Sequence, residues 1–234
     1  EVISGYLVTG EVRNAVNLPY LDAKTYEQIK PYLVLGEKLG HLLAQLAPPQ
    51  VDRLRITFGG KAQELPNIDP VTRAVLLGFL SRVSVKDLNN VNVRSIASTL
   101  GLTVEEKRSN EPVTFNEWLH VQAFRNGEKV ISAGGTFFGS PDNPRIVRVF
   151  SQPTEIVPFG VVLLLSNKDR PGMVGYLGTL LSRHKVNIAS MSLTRDIEGG
   201  QALTVLNLDS VPPQEVLDEI QRDPDISNVK VVTL

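Results

Sequence analysis

Apolar positions along the chain fall into two rhythms, one near 3.6 residues and one of 2, and they alternate in blocks. Tyr26, Ile29, Leu33, Leu35, Leu39, Leu42, Leu43 and Leu46 recur at helical spacing, with Asp22 placed to cap the start. Pro31 predicts a break or kink into two helices, and Pro48-Pro49 a stop. Residues 54–58 alternate as a strand that ends at Gly59-Gly60. Asp69-Pro70 opens a helix whose apolar positions are Val71, Ala74, Val75, Leu76, Phe79 and Leu80. Residues 92–100 form a short helix closed by Gly101, and 102–107 a strand. Residues 118–124 alternate, Asn126-Gly127 signals a tight hairpin turn, and 129–137 return as the partner strand.

From Phe159 the pattern becomes a compact unit. Strand 161–165 is followed by the turn Asn167-Lys168-Asp169-Arg170-Pro171-Gly172 and a helix over 171–184. Asp169 is placed to cap that helix, and Pro171 suits its first turn. Met173, Leu177, Leu180 and Leu181 share one helix face. Strand 187–194, a turn at Glu198-Gly199-Gly200, strand 201–208, helix 212–222 and strand 226–234 complete a βαββαβ order, the ferredoxin-like split unit. The predicted fold class is α/β (α+β), with an α/β domain followed by this smaller unit.

Composition narrows the function classes. The 234 residues suffice for one large domain or two modest ones. Hydrophobic residues make up 42% and charged ones 21%, an ordinary globular balance, and the net charge of −1 gives no basic surface for nucleic acid or anionic lipid. No apolar run approaches the roughly 18 residues of a membrane span, and no signal peptide is visible. The absence of Cys excludes disulfides, thiolate metal sites and thiol catalysis, and fits a cytoplasmic protein. The chain begins at Glu1 rather than Met, which suggests a fragment or processed product.

Candidate chemistry concentrates in two glycine-containing stretches. The strand, the Pro171-Gly172 turn and the open helix N-terminus suit a carboxylate or phosphate, although the same turn also serves as a plain connection. Ala133-Gly134-Gly135-Thr136-Phe137-Phe138-Gly139, followed by Arg145 and Arg148, reads either as an anion cradle or as a bulged hairpin with surface arginines. It ends in no Gly-Lys-Ser/Thr and is no dinucleotide fingerprint. His41 reads as a packed helix residue and His184 as a helix C-terminal cap. His120 shares a strand face with Trp118, Gln122 and Phe124. No second ligand stands at metal spacing, so no metal is expected.

These motifs carry a resemblance. Asn167-x-Asp169-Arg170-Pro171-Gly172, then Gly175, Gly178, Val186-Asn187-Ile188-Ala189 and Gly199-Gly200-Gln201-Ala202-Leu203, resemble an ACT domain. More narrowly, they resemble the ACT domain that ends the D-3-phosphoglycerate dehydrogenase family. Asn14-Ala15-Val16-Asn17-Leu18-Pro19 resembles the stretch leaving that family's catalytic region. Lys30-Pro31-Tyr32-Leu33 with Glu37-Lys38-Leu39-Gly40, and the segments 135–139 and 144–147, resemble the intervening domain of long-form members. The implied organisation is a connector over 1–21, an allosteric substrate-binding-like domain over 22–156 and an ACT domain over 157–234.

The resemblance implies a regulatory and oligomerising region that senses L-serine or a related amino acid where two ACT copies meet. Asn167, Asp169, Arg170, Pro171 and Gly172 would form the ligand loop. Asn187 and Ile188 would reach it from a neighbouring subunit or from the adjacent strand end. Arg145, with Gly135 and Thr136, would form a second, anion-binding position. Homodimers or tetramers would form through the ACT sheet edge and the intervening domain. The family's catalytic machinery is missing, so no catalytic residue and no cofactor is expected in this chain, and NAD belongs to the parent enzyme. A purely structural oligomerisation module remains the alternative. A serine dehydratase-like pair of domains is the third reading, and its iron–sulfur chemistry is opposed by the absence of Cys.

Overall fold

This computed structural model describes residues 23–83, 87–111 and 117–234, so the expected connector over 1–21 and the Asp22 cap lie outside the described residues. The chain divides into two compact units between Pro144 and Arg145.

In the first unit, α1 (Ala23–Leu46) runs unbroken through Pro31, which corrects the expected division into two helices. Ile29, Leu35, Leu39, Leu42 and Leu43 are fully buried along it, and that burial outweighs one lost backbone hydrogen bond. Next come β1 (Arg53–Gly60), a 3-10 turn (Lys61–Glu64), α2 (Asp69–Leu80), α3 (Val93–Thr99), β2 (Thr103–Ser109), β3 (Glu117–Arg125) and β4 (Glu128–Phe137). The strands lie side by side in the order β2-β1-β3-β4. β1 is parallel to β2 and antiparallel to β3, so α2 and α3 form the crossover between β1 and β2.

Helices α1 and α2 meet at two glycines. A Cβ on Gly40 would overlap the Val75 carbonyl oxygen, and one on Gly78 the Glu37 carbonyl oxygen. Asn126 (φ 53°) and Gly127 (φ 85°) form the hairpin turn expected from their sequence. The Gly-rich stretch is not a bulged turn. Gly134 and Gly135 stay in register with His120 and Leu119, and the only register shift of this hairpin lies at Ala123/Phe124. Gly134 is there because the Trp118 ring lies where its side chain would be.

In the second unit, β5 (Pro144–Val149) and β6 (Gln152–Ile156) form an antiparallel hairpin. Then follow β7 (Val161–Lys168), α4 (Met173–Arg183), β8 (Ile188–Arg195), β9 (Gln201–Leu208), α5 (Gln214–Arg222) and β10 (Ile226–Thr233). This is the βαββαβ order, and its strands form an antiparallel sheet, β10-β7-β9-β8. Met173, Leu177, Leu180 and Leu181 from α4 and Val216 and Ile220 from α5 close its core with Leu163, Leu165 and Leu206. Each such buried side chain contributes about 1.5–3 kcal/mol over leaving it in water. On the other face, the Glu155 N–H donates to Ser192 Oγ, and the Asn207 amide brackets both the N–H and the carbonyl of Val157.

Neither outer strand of this sheet pairs with a further strand among the described residues, but they differ. β10 is interrupted by a register shift between Ser227 and Lys230, with Asn228 at φ 53°, a bulge that blunts an edge. β8 has a register shift between Ile188 and Ser190 and is regular from Ser190 to Arg195, with Leu193 37% exposed.

Candidate functional site: the turn between β7 and α4

The hydrogen-bond register of β7 places Asn167 opposite Ala202, and that of β8 places Arg195 opposite the same Ala202. Side chains of residues paired across antiparallel strands stand on one face, so Asn167 and Arg195 share the face on which α4 packs. Asp169 follows two residues later, and its N–H is fixed to the Gly200 carbonyl. One end of the sheet therefore gathers the β7–α4 turn, the end of β8 and the β8–β9 turn.

Asn167 is the most enclosed of the expected ligand residues, at 1% exposure. Its Oδ1 accepts the Thr204 hydroxyl at 2.8 Å, and its Nδ2 donates to the Lys168 carbonyl at 2.9 Å. It holds the turn from beneath. Asp169 does not cap α4. Its Oδ2 accepts from Arg195 Nη1 at 2.7 Å and from the Gly199 N–H at 3.2 Å. Arg195, then the Gly199 amide, hold the Asp169 carboxyl below the usual carboxylate range. The same contact raises the Arg195 guanidinium.

Helix α4 begins at Met173, two residues later than expected. Its N-terminal flank is Gly172, in the left-handed region at φ 90°, and Pro171 lies in the preceding turn. Met173 N–H reaches the Arg170 carbonyl at 3.4 Å and Tyr176 N–H the Gly172 carbonyl at 2.8 Å. The remaining first-turn amides face out over an exposed Gly172, where a helix has no internal carbonyl to offer them. Arg170 turns away from this opening: its Nε donates to Asp225 at 2.7 Å and its Nη2 to Asp223 at 2.8 Å.

Asn187 and Ile188 stand elsewhere. Ile188 pairs with Leu208, six residues along β9 from Ala202, a separation of roughly 20 Å at about 3.3 Å per residue. Asn187 Nδ2 donates to Asp209 there, at 2.8 Å. Within one chain, Asn187 therefore does not reach the Asp169 turn from the adjacent strand end.

The second expected position is distributed differently from its prediction. Gly135 and Thr136 are buried inside strand β4 rather than in a loop. The Arg145 guanidinium meets Glu155 at 3.3 Å, so an anion there would compete with a carboxylate. His184 closes α4 and contacts Glu215 at 2.9 Å, consistent with a capping role, and His41 lies between Glu37 and Ser81.

Sequence reasoning missed Arg195. The predicted strand 187–194 stopped one residue short of it, and the register against 201–208 that sets Arg195 two strands from Asn167 is not given by strand bounds alone.

Comparison with known proteins adds the family. Residues 28–150 match the D-3-phosphoglycerate dehydrogenase intervening domain, and residues 161–225 match the ACT domain. A D-3-phosphoglycerate dehydrogenase of Synechocystis is 34% identical over 100% of this chain and 42% of its own length. The enzyme of the same name from Archaeoglobus fulgidus is 32% identical over 95% of the chain and 42% of its length. That from Bacillus subtilis is 28% identical over 95% and 42%. The chain thus spans about 42% of the length of these relatives. No described helix is long and apolar enough to cross a membrane. The sheet order, the register and these matches agree, and the chain belongs to the D-3-phosphoglycerate dehydrogenase intervening-domain family, with an ACT domain following that domain.

Proposed function

We propose that this chain is the regulatory and oligomerising region of a D-3-phosphoglycerate dehydrogenase, and that it senses L-serine or a closely related amino acid where two ACT sheets meet. Dehydrogenase chemistry and NAD belong to other parts of the parent protein. The observation that carries the proposal is the placement of Asp169 and Asn187 at opposite ends of one sheet whose outer strand β8 is regular from Ser190 to Arg195 and pairs with no further strand among the described residues. Antiparallel pairing of β8 with its copy about a two-fold axis through the strand's middle brings residue 188 of one copy opposite residue 195 of the other. The Asn187 of a second copy then arrives beside Asp169 and the α4 N-terminus of the first. The separation that forbids a site within one chain creates two equivalent sites in a pair.

The chemistry suits a zwitterion. Asp169 offers a charged acceptor for an ammonium, and the first-turn amides above Gly172 offer donors for a carboxylate. Asn167 supports the turn without contributing its own polar atoms. Charge-assisted hydrogen bonds offset by ordering costs put the dissociation constant between about 1 μM and about 1 mM. Ligand that binds only the paired arrangement favours it by mass action, which couples sensing to assembly.

Titration calorimetry of the 234-residue chain with L-serine, alongside sedimentation, tests this. Heat with the wild type, its loss in Asn187→Ala, and a larger assembled fraction with ligand are expected. Silence from the wild type leaves the scaffold reading, which the existing Asp169–Arg195 and Asn187–Asp209 contacts also satisfy.

A further inference from the structure

The Asp169–Arg195 pair is only half used. Arg195 Nη1 and the Gly199 N–H both converge on Asp169 Oδ2, while Oδ1 receives no donor among the described residues. Among the described residues Arg195 makes a single side-chain contact, which leaves Nε and Nη2 of its guanidinium uncommitted, and its side chain is 51% exposed. Asp169, at 20%, forms the inner wall. Arg170 is the contrast: two of its nitrogens are taken by two different aspartates. Arginine–carboxylate pairs are frequently bidentate, and the Arg195–Asp169 pair is not.

We infer that Arg195 binds the carboxylate of the ligand while Asp169 binds its ammonium, so that an α-amino acid zwitterion bridges a pair already pointing its spare valences outward. This rests on the amino-acid-sensing reading above and adds a residue and a selection rule to it. The guanidinium keeps Nη1 on Asp169 and presents its Nε/Nη2 edge, which matches the two oxygens of a carboxylate. The ammonium takes Oδ1. The ion pair need not break, so the ligand does not strip a partner from either charge. Both groups stand on the α4 face of the sheet, at the strand end where β8 leaves the proposed two-copy ladder, so the neighbouring copy closes over them.

The selection rule follows from charge. A molecule lacking the carboxylate leaves the Arg195 edge unsatisfied in a site that the second copy partly desolvates, and one lacking the ammonium leaves Oδ1 facing an anion. L-serine should therefore bind well above both ethanolamine and glycerate, its two single-charge analogues.

The test compares these three ligands by titration calorimetry on the full 234-residue chain, wild type and Arg195→Ala, with circular dichroism and sedimentation as controls for fold and assembly. In Arg195→Ala, L-serine affinity is expected to fall roughly 10- to 150-fold, the range for one charge-assisted hydrogen-bonded contact, while ethanolamine changes little. The L-serine-to-ethanolamine ratio thus collapses, which a merely structural role for Arg195 would not produce. Arg195→Lys, which keeps the charge without the fork, is expected to fall between and serves if Arg195→Ala fails to fold. An unchanged ratio in a folded variant overturns this inference and leaves amino-acid sensing intact. Absence of binding by wild type to L-serine, glycine and L-alanine alike overturns both.

Discussion

Asp169 and Asn167 stand two residues apart and do opposite things, because one side chain is enclosed and the other is not. The Asp169 carboxyl titrates below its ordinary value of 3.8, chiefly through Arg195. A depressed acid stabilises the folded state above the unfolded pKa, and that contribution disappears as pH falls through the folded value. Asp169→Asn should therefore show a smaller drop in melting temperature than wild type between about pH 5 and pH 2, measured by thermal unfolding. Asn167→Ala leaves the Lys168 carbonyl and the Thr204 hydroxyl without their partner in a buried place. It should cost about 1–3 kcal/mol in urea denaturation. A variant as stable as wild type would remove its role as the support of the turn. Asn167 and Asp169 were legible in the sequence as a pair of polar residues at a turn. Which of them faces inward was not, because inward and outward depend on where Thr204 and Arg195 arrive from a distant strand.

At the level of elements, glycine separates two kinds of helix face. Gly40 and Gly78 let α1 and α2 touch backbone to backbone, and a methyl group on either would strike a carbonyl. Gly40→Ala and Gly78→Ala should each destabilise by about 1–3 kcal/mol, the cost of overpacking, as read by chemical denaturation. Gly178, inside α4, has nothing within 4 Å of where its Cβ would lie. There the helix propensity of Ala dominates, and Gly178→Ala should stabilise the isolated chain by up to about 1 kcal/mol, measured in dilute solution. A loss instead would mean that this face is covered in solution. Sequence periodicity located the helices and strands of both units except β5 and β6, which it left unassigned. It failed at Pro31, where local chemistry argued for a break and the burial of Leu35, Leu39, Leu42 and Leu43 on the far side of it prevailed. At Gly134-Gly135 the strand expected over 129–137 holds and the alternative of a glycine-rich turn does not, because Gly134 makes room for the Trp118 ring.

For the molecule, the edge strands bear on the proposed assembly. β10 is interrupted by its bulge within the strand, whereas β8 has its register shift only at the Ile188 end and runs regularly from Ser190 to Arg195, so association should proceed through β8. Leu193→Lys changes a partly exposed residue on that strand, which costs the folded chain little, typically within about 0.5 kcal/mol, but sets two like charges near the proposed axis. It should shift sedimentation toward single chains while leaving circular dichroism unchanged. Lys230 already lies on the opposite outer strand, and Lys230→Glu should leave the assembly as it is.

The sequence by itself determined the element order, the βαββαβ unit, the likeness to the ACT and intervening domains, and the polar turn at 167–172. These depend on contacts between near neighbours and on spacing along the chain, which composition and period record. Only the tertiary structure decided that Asn187 lies a full strand length from Asp169, that Arg195 lies beside it, and that β8 offers the longer regular edge while β10 is broken by a bulge within it. Those depend on register, and register is fixed by pairing between strands that the chain brings together from far apart.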